Sequence, residues 1–244
     1  GHVAYLCDKC DCILVPRIYD YGKNNNVCVK FNALYDIAKN LFPRVNILNY
    51  NIEKTKLKFE FIGFIKMGLI LNKNIFKVIY SYISAKLKEK KHNKILISQQ
   101  KQLLNNNKIK ILVVAHPYNI YDKYIGEPII KFLKNMNIEI IHADLLDRKK
   151  AKKYSYELTD TLYWTYSKEL VGAVNYYKDK VDGIIFITSF PCGPDSLVNE
   201  LLIRKLQNIP ITNILIDEST AEAGLITRLE SFIDIIKGKK EKND

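Results

Sequence analysis

Residues 181–217 read VDGIIFITSFPCGPDSLVNELLIRKLQNIPITNILID, and the changes of texture along that stretch decide the fold. Val181–Thr188 is a near-continuous apolar run without polar alternation, which is how a strand buried on both faces reads. Proline and glycine then punctuate the chain at Pro191, Gly193 and Pro194. Asp195–Leu206 has the length and spacing of a helix, and Ile211–Ile216 is a second β-branched run. Two strands joined by one helix make a βαβ unit, and its strands must be parallel.

The same plan recurs upstream and downstream. Ile109–Ala115 (IKILVVA) predicts a strand, Glu127–Met136 a helix, Glu139–Ala143 a strand, Leu162–Tyr177 a helix and Ala221–Ile236 the last helix. Repeated strand–helix alternation predicts a doubly wound α/β domain over residues 107–244. Residues 1–50 look like a truncated copy: a short helix Val3–Lys9, a strand Cys12–Ile18, a helix Phe31–Phe42 and a strand Val45–Tyr50. That unit is too small to close a sheet alone. Residues 51–106 read as helical throughout, a connector ending in the polar run Asn105–Asn107. The expected class is therefore α/β, two doubly wound Rossmann- or flavodoxin-like parallel-sheet domains, the first truncated, with a helical connecting region.

A chain of 244 residues with 48% apolar composition is long enough for such cores. Its most apolar stretch, Phe59–Leu71, is too short to span a bilayer and carries Glu60 and Lys66. No leader pattern precedes it, so a reducing cytoplasm is expected, where the five cysteines point to metal or catalysis before disulfides. The chain opens on Gly1-His2 without methionine, which reads as a fragment or a tag scar. The net charge of +12 would suit nucleic acid, yet its densest patch, Lys86–Lys94 (KLKEKKHNK), has no interleaved aromatics. A solvated helix end and a codon bias towards Lys, Asn, Ile and Tyr account for it, so nucleic acid is disfavoured as a partner.

Ligands of open parallel sheets bind beyond the carboxyl ends of the strands. Four loops fall there. HPYNIYDKYIG carries His116, Tyr118, Asp122 and Gly126; SFPCGPDS carries Ser189, Cys192, Gly193 and Asp195; DESTAEAG carries Asp217, Glu218, Ser219 and Thr220; YDYGKNNNVC delivers Cys28. A thiol just ahead of a helix feels the aligned amide dipoles, which favour the thiolate for metal ligation or attack. Cys28 and Cys192 stand at equivalent places in the two α/β halves, so a cleft with one thiolate from each is expected. Pro191 and Pro194 would stiffen the second loop, Gly193 would let the backbone approach a ligand, and Asp195 would cap the helix. Buried free cysteine more often serves as a small hydrophobe, which is the reading favoured for Cys7 and Cys12. With Cys10 they form C-x-x-C-x-C without a second half, thin support for zinc. His116 could orient a ligand or merely cap its strand, His142 reads as a strand-end residue, and Asp217 and Glu218 could simply anchor the last helix.

HPYNIYD, SFPCGPDSL, IDESTAEAGLITRLESFID, and ILVPRI followed by CVKF resemble the cluster-carrying region of acyl-CoA dehydratase activase-related proteins. These share a superfamily with the activators and iron–sulfur subunits of 2-hydroxyacyl-CoA dehydratases. The resemblance runs from Gly1 to about Lys237. It implies an iron–sulfur cluster, 4Fe–4S in type, held in a cleft between two α/β domains of an anaerobe's protein. It implies Cys28 and Cys192 as cluster ligands, with Ser189, Gly193, Asp217 and Glu218 around the cluster or a substrate. It implies an ATP-hydrolysing activator as electron donor, an acyl-CoA or other small substrate, and a low-potential reduction or a dehydration.

Two departures matter. The resemblance sets another cysteine just upstream of Gly1, so this chain is expected to lack one ligand, and Val29 follows Cys28 where proline is common. No G-x-x-x-x-G-K-[ST] loop occurs, so ATP hydrolysis is expected in another chain or segment. Two other classes stay open: a cysteine-nucleophile enzyme using Cys192 with His116 as base, and a non-catalytic scaffold that docks its partner through the basic surface. A homodimer also stays open.

Overall fold

The computed structural model describes residues 1–190, 192–217 and 222–241. It is α/β with parallel sheets. Two compact units emerge, one made of Gly1–His92 with Tyr163–Thr165, the other of Asn93–Leu162 with Tyr166–Asp244. No helix among the described residues is long and apolar enough to cross a membrane.

The first unit begins with α1 (His2–Leu6), β1 (Ile13–Leu14), β2 (Arg17–Asp20) and α2 (Val29–Leu41). It continues with β3 (Ile47–Leu48), β4 (Asn51–Glu53), a 3-10 turn at Lys54–Lys56 and α3 (Glu60–Ile70). The long α4 (Ile75–Leu103) starts here and runs on into the second unit. Strand β1 pairs with β3 and β2 with β4, both parallel. The expected strand Cys12–Ile18 is thus divided, and Pro16 is the reason.

Proline has no amide hydrogen to give. Donation alternates along this strand, from Ile13 to the Asn46 carbonyl, Val15 to Leu48 and Arg17 to Tyr50, at 2.9–3.0 Å. Pro16 falls on the residue whose missing N–H faces away, so register survives the break: Ile13 opposes Ile47 and Ile18 opposes Ile52. The extra residue Tyr19 then shifts the pairing so that Asp20 opposes Glu53, a bulge that leaves Asp20 buried. The expected strand Val45–Tyr50 is likewise replaced by the shorter β3 and by β4. Residues 51–106 are therefore not helical throughout: buried Ile52 extends the ladder, and α-helix starts only at Glu60.

The second unit holds β5 (Lys110–Val114), α5 (Pro117–Ile120), α6 (Gly126–Asn135), β6 (Glu139–His142), α7 (Arg148–Leu158) and all but the first residue of α8 (Thr165–Tyr177). After them come β7 (Gly183–Ser189), α9 (Gly193–Lys205), β8 (Ile211–Ile216) and α10 (Glu222–Glu241). The four strands form one parallel sheet in the order β6-β5-β7-β8. Ile111, Val113, Ile185 and Ile187 pack on one face with α6 and α10; Leu112, Ile184 and Phe186 pack on the other with α7, α8 and α9. That two-sided burial is why the strands read as unbroken apolar runs, each fully buried Ile or Leu contributing about 1.5–3 kcal/mol.

Helix α7 has no counterpart among the expected elements. Asp147 starts it by accepting from the Lys149 and Lys150 amides, and α8 lies so close that a Cβ on Gly172 would come within 1.8 Å of the Ala151 carbonyl oxygen. The sheet's outer edges also differ. At β6, the Gln100 side chain accepts from the His142 amide at 2.8 Å and donates to its carbonyl at 3.1 Å, occupying the place of a neighbouring strand.

Candidate functional site

The chain returns on β5 and β7 to the middle of the second unit's sheet, and the crossovers leave these two strands in opposite directions. Such a switch point opens a crevice at the carboxyl ends. Three strand–helix loops lie here: His116 follows β5, Ser189 ends β7 with Phe190 and Cys192 after it, and Asp217 follows β8.

His116 occupies the N-cap position of α5, but its ring is not used to cap. Its Nε2 lies 2.8 Å from Asp195 Oδ1, and both side chains are buried. Asp195 is the third residue of α9, so the expected helix cap is corrected: its carboxylate ties the first turn of α9 to the β5 loop, and Cys192 holds the N-cap position. Tyr118 stacks on the imidazole at 5.1 Å and Tyr166 meets it edge-on at 5.7 Å. Beside them, burial pushes the Glu169 carboxyl up from its ordinary pKa, against the pull of Arg148 and His116.

Ser189 donates to Asn119 Oδ1 at 2.6 Å, while the buried Asn119 Nδ2 has no partner among the described residues. Below them, Asn199 donates to Thr188 Oγ1 at 2.8 Å. The Cys192 amide donates to the Ser189 carbonyl and the Phe190 amide to that of Ile216, so the thiol-bearing loop is fastened to both β7 and β8. Cys192 is half-buried and in no disulfide, and Ser196 returns its amide and hydroxyl to the Cys192 carbonyl. At Gly193 neither the backbone angle nor any neighbour demands glycine, since an added Cβ would meet nothing within 4 Å. Asp217 is exposed; Glu218 and Pro191 lie outside the described residues.

Cys28 belongs to the first unit, where it stands at the N-cap of the 13-residue α2 and its carbonyl accepts from the Phe31 and Asn32 amides. The loop leading to it is anchored by Asp20, which accepts from the Gly22 amide at 2.8 Å, the Thr55 amide at 3.0 Å and the Thr55 hydroxyl at 2.6 Å. Burial alone would raise the Asp20 pKa, but these donors outweigh it and hold the carboxyl below its usual range. The other three cysteines cluster near α1, where Cys7 and Cys10 spend their thiols on the Ala4 and Leu6 carbonyls.

Thiolates at helix N-termini are the donor type that iron–sulfur clusters take. Each unit places one cysteine at the N-cap position of a helix, with no side-chain cap bond. Among the described residues, no three His, Cys, Asp or Glu side chains converge as a metal-holding group. The donors therefore fit a cluster in kind, and neither unit alone supplies a full set.

The sequence reading missed Asn119, Asn199 and Glu169. It also missed a second group at the end of β6, where Tyr121 donates to Asp144 at 3.0 Å and stacks on His142. Burial pushes Asp144 up and His142 down, favouring the neutral form of each. The available signal was position, since His142 ends a strand as Ser189 does and Asp144 comes just after one as His116 does.

A family model described as CoA enzyme activase uncharacterised domain matches residues 1–146. That stretch contains Cys28 and His116, and it ends before Ser189 and Cys192. No curated protein matches the chain.

Proposed function

The chain belongs to the CoA enzyme activase uncharacterised-domain family, and from that premise we propose that it is a cysteine-ligated iron–sulfur module serving a CoA-linked enzyme system. Electrons would arrive from an ATP-hydrolysing activator, and the reaction served would be a low-potential reduction or an acyl-CoA dehydration. The single observation that carries this reading is the matching placement of two thiols. Cys28 and Cys192 each stand at the N-cap of a 13-residue helix that follows a parallel strand, one in each α/β unit. The amide dipoles at such a position stabilise thiolate and so favour ligation.

Cys28 and Cys192 would hold the group, with further ligands needed beyond this pair. When bound, an iron–sulfur cluster supplies one-electron transfer at a potential set by its hydrogen bonds and burial. The chain's own residues fix the ligands. Asp20 holds the Cys28 loop through three donors, and the buried His116–Asp195 pair ties down the first turn of α9 below Cys192. Ser189, Gly193, Asp217 and Glu218 would line the substrate or cluster side, and the space beside Gly193 leaves room for a ligand.

The test is iron and acid-labile sulfide per chain after anaerobic reconstitution, for the parent and for Cys28→Ala and Cys192→Ala. Stoichiometric iron in the parent that falls several-fold in both variants is expected. A parent that binds no iron, or iron indifferent to both replacements, overturns the reading.

A further inference from the structure

Helix α5 has only 4 residues, yet it is pinned to three other elements. His116, at its N-cap, bonds Asp195 of α9 at 2.8 Å; Asn119, inside it, accepts from Ser189 of β7 at 2.6 Å; Tyr121, at its C-cap, donates to Asp144 just beyond β6 at 3.0 Å. Two pins reach the candidate site, and the third reaches the separate group at the sheet edge. The helix cannot stretch between them, because the His116 carbonyl takes the Asn119 and Ile120 amides and the Pro117 carbonyl takes that of Tyr121. Nor can it back away: α6 starts so close behind that a Cβ on Gly126 would come within 2.1 Å of the Ile120 carbonyl oxygen. At about 1.5 Å per residue the end pins are about 7.5 Å apart along the axis. A shift at Tyr121 is therefore felt at Asn119 and His116 as the movement of one short body.

The third pin is the one that can change. Tyr121 stacks on His142 with ring centres 6.0 Å apart, and Gln100, which holds the His142 backbone, donates to the Tyr177 hydroxyl at 3.1 Å. Asp144 Oδ1 and His142 Nδ1 are buried and, among the described residues, have no hydrogen-bond partner. Burial pushes the Asp144 carboxyl up, against the Tyr121 bond and His142, and it pushes His142 down, with Asp144 opposing and Lys134 of α6 adding to it. Tyr121, Lys134 and, through Gln100, Tyr177 of α8 are thus the groups that face the pair. Burial and Asp144 push the Tyr121 phenol up, so it remains a donor throughout. Its bond to a carboxylate is charge-assisted, and its bond to a protonated acid is roughly half as strong.

We infer that Tyr121 and Asp144 are positioning residues for Ser189 and Cys192, and that a proton taken from solvent by Asp144 slackens the Cys192 turn through α5. Proton uptake weakens the Tyr121 pin while His142 stays neutral. Asn119 then passes the slack to Ser189, whose carbonyl receives the Cys192 amide at 2.9 Å. The coupling goes beyond the iron–sulfur reading and holds whatever Cys192 ligates, so the two stand or fail separately.

The test is hydrogen exchange of the whole chain, read by mass spectrometry on the peptides carrying α5 and Cys192, from about pH 7.5 to about pH 4 and corrected for the intrinsic rate at each pH. Asp144 titrates above the ordinary aspartate value and His142 below the ordinary histidine value, which places the expected step between about pH 4 and about pH 6.5. Through that step both peptides should exchange about fivefold faster on acidification, the size expected when a hydrogen bond loses its charge, while the α10 peptide holding Ile233 stays level. Asp144→Asn keeps an acceptor for Tyr121 but cannot titrate, so its exchange should show no step. Tyr121→Phe keeps the ring on His142 and removes the pin, so both peptides should exchange fast at every pH, again without a step. A merely structural role would raise exchange in the variants and leave the step in place. Should circular dichroism show that Asp144→Asn is unfolded, Tyr121→Phe carries the decision alone. A parent without a step overturns the inference, as does a step in α5 that Cys192 does not share. A step that survives both replacements belongs to the His116–Asp195 pair and overturns it too.

Discussion

At the scale of residues, the chemistry of both candidate loops rests on buried carboxylates that are paired. Asp20 was visible in the sequence only as part of a loop, because its partner Thr55 lies 35 positions away. His116 and Asp195 were each noticed as strand-end and helix-start residues, yet their bond depends on β5 and β7 being neighbours, which no local pattern reveals. The Asp20 carboxyl is held below its ordinary range when folded, so its stabilisation is present above the unfolded value, about pH 4, and is lost as pH falls through the folded value. Asp20→Asn should therefore cost about 2 kcal/mol near neutral pH. In acid the denaturation midpoints of parent and variant should converge. A gap between them that stays constant from neutral pH into acid would contradict that account.

At the scale of elements, the strands were the most legible part, since a strand buried on both faces leaves an unbroken apolar run at β5 and β7. Boundaries were less legible where ladder geometry decided them: Pro16 divides the first strand without shifting its register, and Ile52 extends pairing into a stretch that reads as helix. Helix α7 escaped because its apolar contribution is small and its capping residue, Asp147, precedes a run of lysine and arginine. Its close approach to α8 leaves no room at Gly172, where a Cβ would collide with the Ala151 backbone. Gly172→Ala should force the two helices apart and cost about 1–3 kcal/mol, lowering the thermal midpoint by several degrees in scanning calorimetry. An unchanged midpoint would show that α7 yields without cost.

At the scale of the whole molecule, alternation of strands and helices was enough to give an α/β chain with parallel sheets, and it could not give the strand order β6-β5-β7-β8 that brings His116 and Asp195 together. Nor could it show that the first unit is discontinuous. Tyr163–Thr165 belong to that unit, where Trp164 forms a parallel bridge to Asn26 and the Thr165 amide donates to the Asn26 carbonyl at 2.9 Å. A fragment of residues 1–92 should accordingly be cut by trypsin at sites that stay protected in the whole chain, and equal protection would refute this. On the ribosome the same arrangement sets an order of events. At about 5–20 residues per second, the Cys28 loop waits several seconds for the segment that completes its surroundings. For that interval the nascent chain presents an unfinished sheet edge to chaperones, and Cys28 precedes its finished environment in time as well as in sequence.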